Sequence, residues 1–298
     1  MHSSNLRGLA AMAAAVATFS VMDVTMKKLV EVYPAMQVTF LRGAASLPFL
    51  LAAIALFGRW RDLVPQRWGL HLTRGLLTVI TLWFFVYAVS QLSLANAYAI
   101  FMSAPLLITA LAVPMLGEHV GWRRWLAVFV GLAGVLVVLK PSGNELITLG
   151  GLAALASAGA YALGAITIRI LARTEHSAAI VFWALALLTL FSGAAAAMVW
   201  TPLQWQHWPW IAGLGLTGAL GQHFFTHAFR LAAPPVVAPL EYTALMWGML
   251  FDQLLWMTAP STRMLVGAAI IISSGLYVLY RERSSETVTV DVERAGVR

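Results

Sequence analysis

The feature that most constrains this chain is the recurrence of apolar stretches about 20 residues long, divided by short polar turns. Such a stretch, wound as a helix, is long enough to cross the hydrocarbon core of a bilayer. About ten are expected, near 8–29, 35–57, 69–90, 95–116, 123–140, 147–169, 178–200, 208–231, 235–257 and 263–281. Only 10% of residues are charged, against about 25% in soluble domains, and the mean hydropathy of +0.81 agrees. The expected fold class is therefore an all-α polytopic membrane protein with ten transmembrane helices, seated in a lipid bilayer.

A net charge of +7 is compatible with nucleic-acid binding, but its placement says otherwise. With the N-terminus in the cytoplasm, Arg7, Arg59, Arg61, Arg67, Arg123, Arg124, Arg169, Arg173, Arg230, Arg281 and Arg283 fall inside. Outside fall Lys27, Lys28, Lys140 and Arg263. This is the positive-inside bias of a chain with both ends cytoplasmic, so no nucleic-acid partner is expected. Cysteine is absent, which removes disulfides and thiolate metal sites. Arg7, the apolar run after it and Ala15-Val16-Ala17 imitate a signal peptide. The apolar run continues past them, so a retained first helix is expected.

Ionisable groups inside apolar helices are costly and usually face a partner or a watery cavity. Residues 221–258 hold the densest set: His223 and His227, then an Ala-Pro-Pro turn, then Glu241 and Tyr242. The same helix–turn–helix occurs 140 residues earlier, setting His223 on Trp83, His227 on Tyr87, Glu241 on Phe101, Tyr242 on Met102 and Arg263 on Arg123. An offset of 142 sets Tyr161 on Phe19 and Arg169 on Lys27. The central expectation is one small-molecule site built from both copies. Its expected lining is Trp83, Tyr87, Tyr98, Phe101, His223, His227, Glu241 and Tyr242, with Glu241, Asp23 and Arg42 as candidates for ion or proton coupling. Aromatic walls suit a planar or amphipathic solute, with cation–π attraction worth about 2 kcal/mol when desolvated. Imidazoles exchange protons near neutral pH.

Other polar groups carry narrower expectations. Asp23 and Lys27, four apart, share a helix face and can pair; otherwise Asp23 is a proton or cation site. Arg42 either pairs with Asp23 or meets a substrate carboxylate. Pro105 is expected to kink its helix. Glu118 and His119 read as an interfacial ion cluster with Arg123 and Arg124, and Asp252 as a residue of the outer vestibule. Gly131 and Gly134 suggest packing or a homodimer surface. Ala156, Ala160 and Gly164 have the small-residue spacing that lets backbones approach.

Five helices per copy is an odd number, so the second copy inserts upside down relative to the first. Inverted repeats meeting at a midplane site characterise secondary carriers. The expected organisation is a first repeat at 7–140, a linker at 141–148, a second repeat at 149–281 and a disordered cytoplasmic tail at 282–298. Over residues 7–281 the sequence resembles the drug/metabolite transporter superfamily, specifically its EamA-type carriers. The most specific matches are PLEYTALMWGML at 239–250 and HAFRLAAPPVVAP at 227–239. Supporting ones are the Asp23–Lys27 helix leading to Pro34 and Arg42, and LGE at 116–118 followed by WRRW. Thr258 stands where that family commonly keeps an acidic residue at the end of helix 9. The resemblance implies export of a small metabolite such as an amino acid across a bacterial inner membrane, with uptake of a vitamin or nucleoside-type metabolite as the alternative. An enzyme is not expected: His223 and His227 have metal-ligand spacing, but Phe224 replaces the glutamate of a HExxH motif. Neither a cofactor nor a metal is expected, and a channel is the remaining rival.

Overall fold

The computed structural model describes residues 2–116, 121–139, 148–231 and 238–294. The described residues form eleven α-helices and no strand: α1 His2–Val30, α2 Ala35–Phe57, α3 Trp68–Gln91, α4 Leu94–Phe101, α5 Ala104–Leu116, α6 Trp122–Leu139, α7 Leu149–Leu171, α8 Ser177–Ala196, α9 Trp208–Leu231, α10 Ala244–Trp256 and α11 Thr262–Arg294. Helices close their own backbone hydrogen bonds, which a chain this apolar needs in lipid. Among the described residues six segments are long and apolar enough to cross a membrane: Leu6–Val30, Ala35–Phe57, Trp68–Gln91, Leu94–Met115, Leu149–Leu171 and Ala178–Val199. Trp125–Val138 and Thr262–Tyr277 are shorter apolar helices. The polar segment after Arg281, read from sequence as disordered, continues α11 as helix to Arg294. Glu118, His119, Lys140, the linker through 147 and the Ala-Pro-Pro turn lie outside the described residues.

Two of the apolar stretches are broken. Leu94–Met115 divides at Met102–Ser103, two residues before Pro105, whose ring nitrogen has no proton to bond the preceding turn. The Ser103 hydroxyl donates to the Ile100 carbonyl at 2.8 Å there. In the second stretch a 3₁₀ segment, Ala238–Thr243, precedes α10. The Thr243 hydroxyl donates to the Leu240 carbonyl at 2.6 Å. The two braces stand 140 residues apart, on the offset read from sequence.

Helix α1 packs along α9 and α3 along α7; α2 packs on α8 and α9, α3 also on α8, α4 on α10, and α6 on α11. Exchanging α1 with α7, α2 with α8, α3 with α9 and α6 with α11 maps the pairs named among these helices onto themselves. The loops follow the same exchange. Tyr33, after α1, accepts from the Gln204 N–H at 2.9 Å and bonds His207 Nδ1 at 2.8 Å. Glu175, after α7, accepts from the N–H groups of Gln66 and Arg67 at 2.7 and 2.8 Å. Each clamp holds the segment leading into the third helix of the other half.

Close backbone contacts fall at glycines. A Cβ on Gly134 would stand 3.0 Å from the Gly267 carbonyl, and one on Gly267 2.8 Å from that of Gly134. Gly131 and Gly134 thus serve packing of α6 on α11. The expected approach along Ala156, Ala160 and Gly164 is corrected: Ala156 is exposed, and a Cβ on Gly164 would meet nothing within 4 Å. Helix α7 instead turns Gly150, Ala154 and Ser157 inward, with the Ser157 hydroxyl donating to the Thr81 carbonyl of α3 at 2.7 Å.

Candidate functional site

Helix α1 brings the first acidic group into the bundle. Asp23 is buried and accepts a 2.6 Å hydrogen bond from the Tyr98 hydroxyl of α4. Arg42 of α2 interacts electrostatically with Asp23, while its Nε donates to Met22 Sδ at 3.4 Å. The Asp23–Lys27 pair expected from their spacing is not formed. Lys27 Nζ donates instead to Asp252 Oδ1 at 3.2 Å and to the Leu92 carbonyl at 3.0 Å. The reason is the better acceptor: Asp252 is already fixed by the N–H groups of Leu94 and Ala95, at 2.9 and 2.8 Å, at the start of α4. Those N–H groups have no partner within the helix and favour an anion. Asp252 is 1% exposed, so the outer-vestibule expectation is corrected too.

The aromatic expectations divide. Tyr98 is buried, stacked at 6.1 Å on Phe85. Phe101 meets Phe85 edge-on at 5.5 Å and Tyr161 of α7 at 5.3 Å. Trp83 is exposed on one stripe of α3 with Leu72 and Leu76, and Tyr87 is half-buried. His223 and His227, their rings parallel at 6.1 Å, continue an exposed stripe of α9 through Leu216 and Leu220. The two stripes stand 140 residues apart, Leu76 and Trp83 on α3 against Leu216 and His223 on α9.

Glu241 sits in the 3₁₀ segment, half-buried, with no hydrogen bond or ion pair among the described residues. Its charge reaches the phenols of Tyr161 and Tyr242. Tyr242 itself is turned against Gly275 of α11, its hydroxyl buried without a partner among the described residues. One ionisable group was missed at the sequence level. Arg74 of α3 is half-buried, with Nε and Nη1 buried and unbonded among the described residues, and it too interacts with Tyr161. An arginine six residues into an apolar stretch was the available signal. A groove of about 620 Å³ opens elsewhere, between α6 and α11, lined by Trp122, Arg123, Leu126 and Tyr277 among others. None of the expected site residues lines it, and the polar chemistry favours the Glu241 region.

Among the described residues no group of three or more His, Asp or Glu side chains could hold a metal ion. What the arrangement offers is separated, unneutralised charges between aromatic rings.

Comparison with known proteins gives the family. A riboflavin transporter of Rhizobium johnstonii is 30% identical over 251 residues, covering 81% of this chain and 78% of that protein. A pseudopaline exporter of Pseudomonas aeruginosa is 27% identical over 261 residues, covering 86% and 89%. An S-adenosylmethionine uptake transporter of Rickettsia prowazekii is 26% identical over 292 residues, covering 94% and 95%. A solved crystal structure aligns with a TM-score of 0.62 at 22% identity, over 93% of this chain and 97% of that one, a likeness of fold. The model of the EamA-like transporter family matches residues 6–140. With transporters matched along nearly the whole chain and a family model covering its first half, this protein belongs to the EamA-like transporter family.

Proposed function

We propose that the protein is a secondary carrier that exports a small amphipathic metabolite, such as an amino acid, across the bacterial inner membrane by alternating access. Ten spanning helices form two inverted repeats, 7–140 and 149–281, with both termini cytoplasmic. The exchange symmetry of helix pairs and loop clamps supports this reading, as do the paired hydroxyl braces at Ser103 and Thr243. Alternating access needs one end tied and the other open. The Lys27–Asp252 pair ties α1, α4 and α10 at one end. Toward the other end, the face of α7 that buries Ala154 and Ser157 exposes Tyr161, Ile168 and Ala172.

The observation that carries the reading is Glu241, a carboxylate in a broken helix without a partner among the described residues and within electrostatic reach of Tyr161. An ionisable group so placed in a membrane helix is a substrate or proton site by default. Glu241 accepts the proton that returns as the solute leaves. The test is Glu241→Gln in cells overproducing the protein, with metabolites compared between medium and cytosol. Wild type enriches a solute in the medium and Glu241→Gln does not; equal enrichment removes Glu241 from the mechanism. Uptake is the second reading, favoured by the similarity to the uptake transporter of Rickettsia prowazekii, and it reverses the enrichment.

A further inference from the structure

We propose that Arg74 is the anion-recognising residue of this site, and that the transported solute carries a carboxylate together with a cationic group. The inference rests on the carrier reading above and narrows its substrate.

Arg74 lies six residues into α3, about 9 Å along the helix axis from its start. It shares a face with Thr81 and Ala88, two and four turns further on, away from the exposed stripe of Leu72, Leu76 and Trp83. That face is turned to α7, because the Thr81 carbonyl accepts from Ser157. A guanidinium has five donors and no acceptor, and two of its nitrogens here are buried without a partner among the described residues. Those nitrogens are shut off from solvent, and among the described residues no carboxylate forms an ion pair with them. Arg74 and Glu241 both lie within electrostatic reach of Tyr161. Among the described residues these two opposite charges form no ion pair with each other.

The space beside Tyr161 is accessible. Tyr161 is 40% exposed, and a Cβ on Gly164, one turn on, would meet nothing within 4 Å. Phe101 closes the wall edge-on to Tyr161 at 5.3 Å. A guanidinium fork fits a carboxylate with two parallel bonds. A solute with a carboxylate on Arg74 and an ammonium on Glu241 satisfies both groups at once, with its apolar body against Phe101.

The test uses the full-length protein in detergent and four probes: phenylalanine and leucine, each against its methyl ester, which keeps the amine and lacks the carboxylate. Ligand-induced shifts of the thermal midpoint give apparent affinities. We expect each ester to bind wild type at least about tenfold more weakly than its acid, the loss of a charge-assisted hydrogen bond. Arg74→Gln should bring acid and ester together, and Arg74→Lys should restore part of the difference. A merely structural arginine would lower the midpoint without changing that ratio. Equal binding of acid and ester to wild type, or no binding of either acid, overturns the inference whatever the variants do. Flux of radiolabelled phenylalanine into proteoliposomes separates it from the carrier reading: Arg74-dependent binding without flux sinks the carrier and leaves Arg74 standing. Flux that ignores the carboxylate does the reverse.

Discussion

Lys27 and Asp252 stand 225 residues apart in sequence and meet as a buried ion pair at 3.2 Å. Three elements converge on it, since Asp252 also holds the first two N–H groups of α4, and Lys27 reaches the carbonyl just before them. Trp256 covers the site, with Lys27 Nζ 4.5 Å from its ring and its own indole N–H donating to Glu31 at 2.9 Å.

Removing one partner strands the other in a low-dielectric interior. Asp252→Ala should lower stability by about 3–5 kcal/mol, read as denaturant unfolding in detergent. Because the residues form one unit, the double variant Lys27→Met/Asp252→Ala should cost little more than Asp252→Ala alone. Additive losses would show that the pair is not coupled.

A second clamp gives a pH signature. Burial pushes the Glu175 carboxyl up, but the Gln66 and Arg67 N–H groups and His71 at 3.4 Å outweigh it and hold the pKa below 4.5. A depressed carboxylate stabilises the fold fully above its unfolded value and loses that contribution as pH falls through the folded one. The thermal midpoint should therefore drop on acidification below about 4.5, and Glu175→Gln should flatten that drop. Parallel pH profiles for both proteins would refute the assignment.

The exposed imidazoles make a contrasting case. His223 stacks on His227 and meets Phe224 edge-on, on an exposed stripe of α9. Exchanging either for Ala should shift stability by less than about 0.5 kcal/mol and leave transport within a few-fold of wild type. A loss matching that of Glu241→Gln would place them in the transport path.

Two glycines test the packing. A Cβ on Gly215 would run into the Ala45 backbone, so α2 and α9 would have to part. Gly215→Ala should cost about 1–3 kcal/mol, as overpacking does. Gly164→Ala meets open space and should gain up to about 1 kcal/mol of helix propensity. Thermal midpoints of the two variants in one detergent decide it.

The sequence by itself determined the all-helical, membrane-spanning character of the chain. Apolar length and turn residues are local properties, and the Ser103 and Thr243 braces fall on the 140-residue offset visible in the letters. It also pointed to Glu241 and Tyr98, because an ionisable or polar group inside an apolar run is conspicuous, and to Phe101 through its registration with Glu241. Only tertiary structure decided which face of each helix turned inward. Helices this uniformly apolar carry almost no amphipathic signal, so nothing local separated Trp83 and His223, on exposed stripes, from Arg74 and Thr81 on the packed side. Partner choice was equally hidden. Asp23 and Lys27 share a helix face, yet Lys27 chose an acceptor from the far end of the chain. A carboxylate already fixed by two helix N–H groups is a stronger electrostatic anchor than a neighbour four residues away, and only folding brings it within reach.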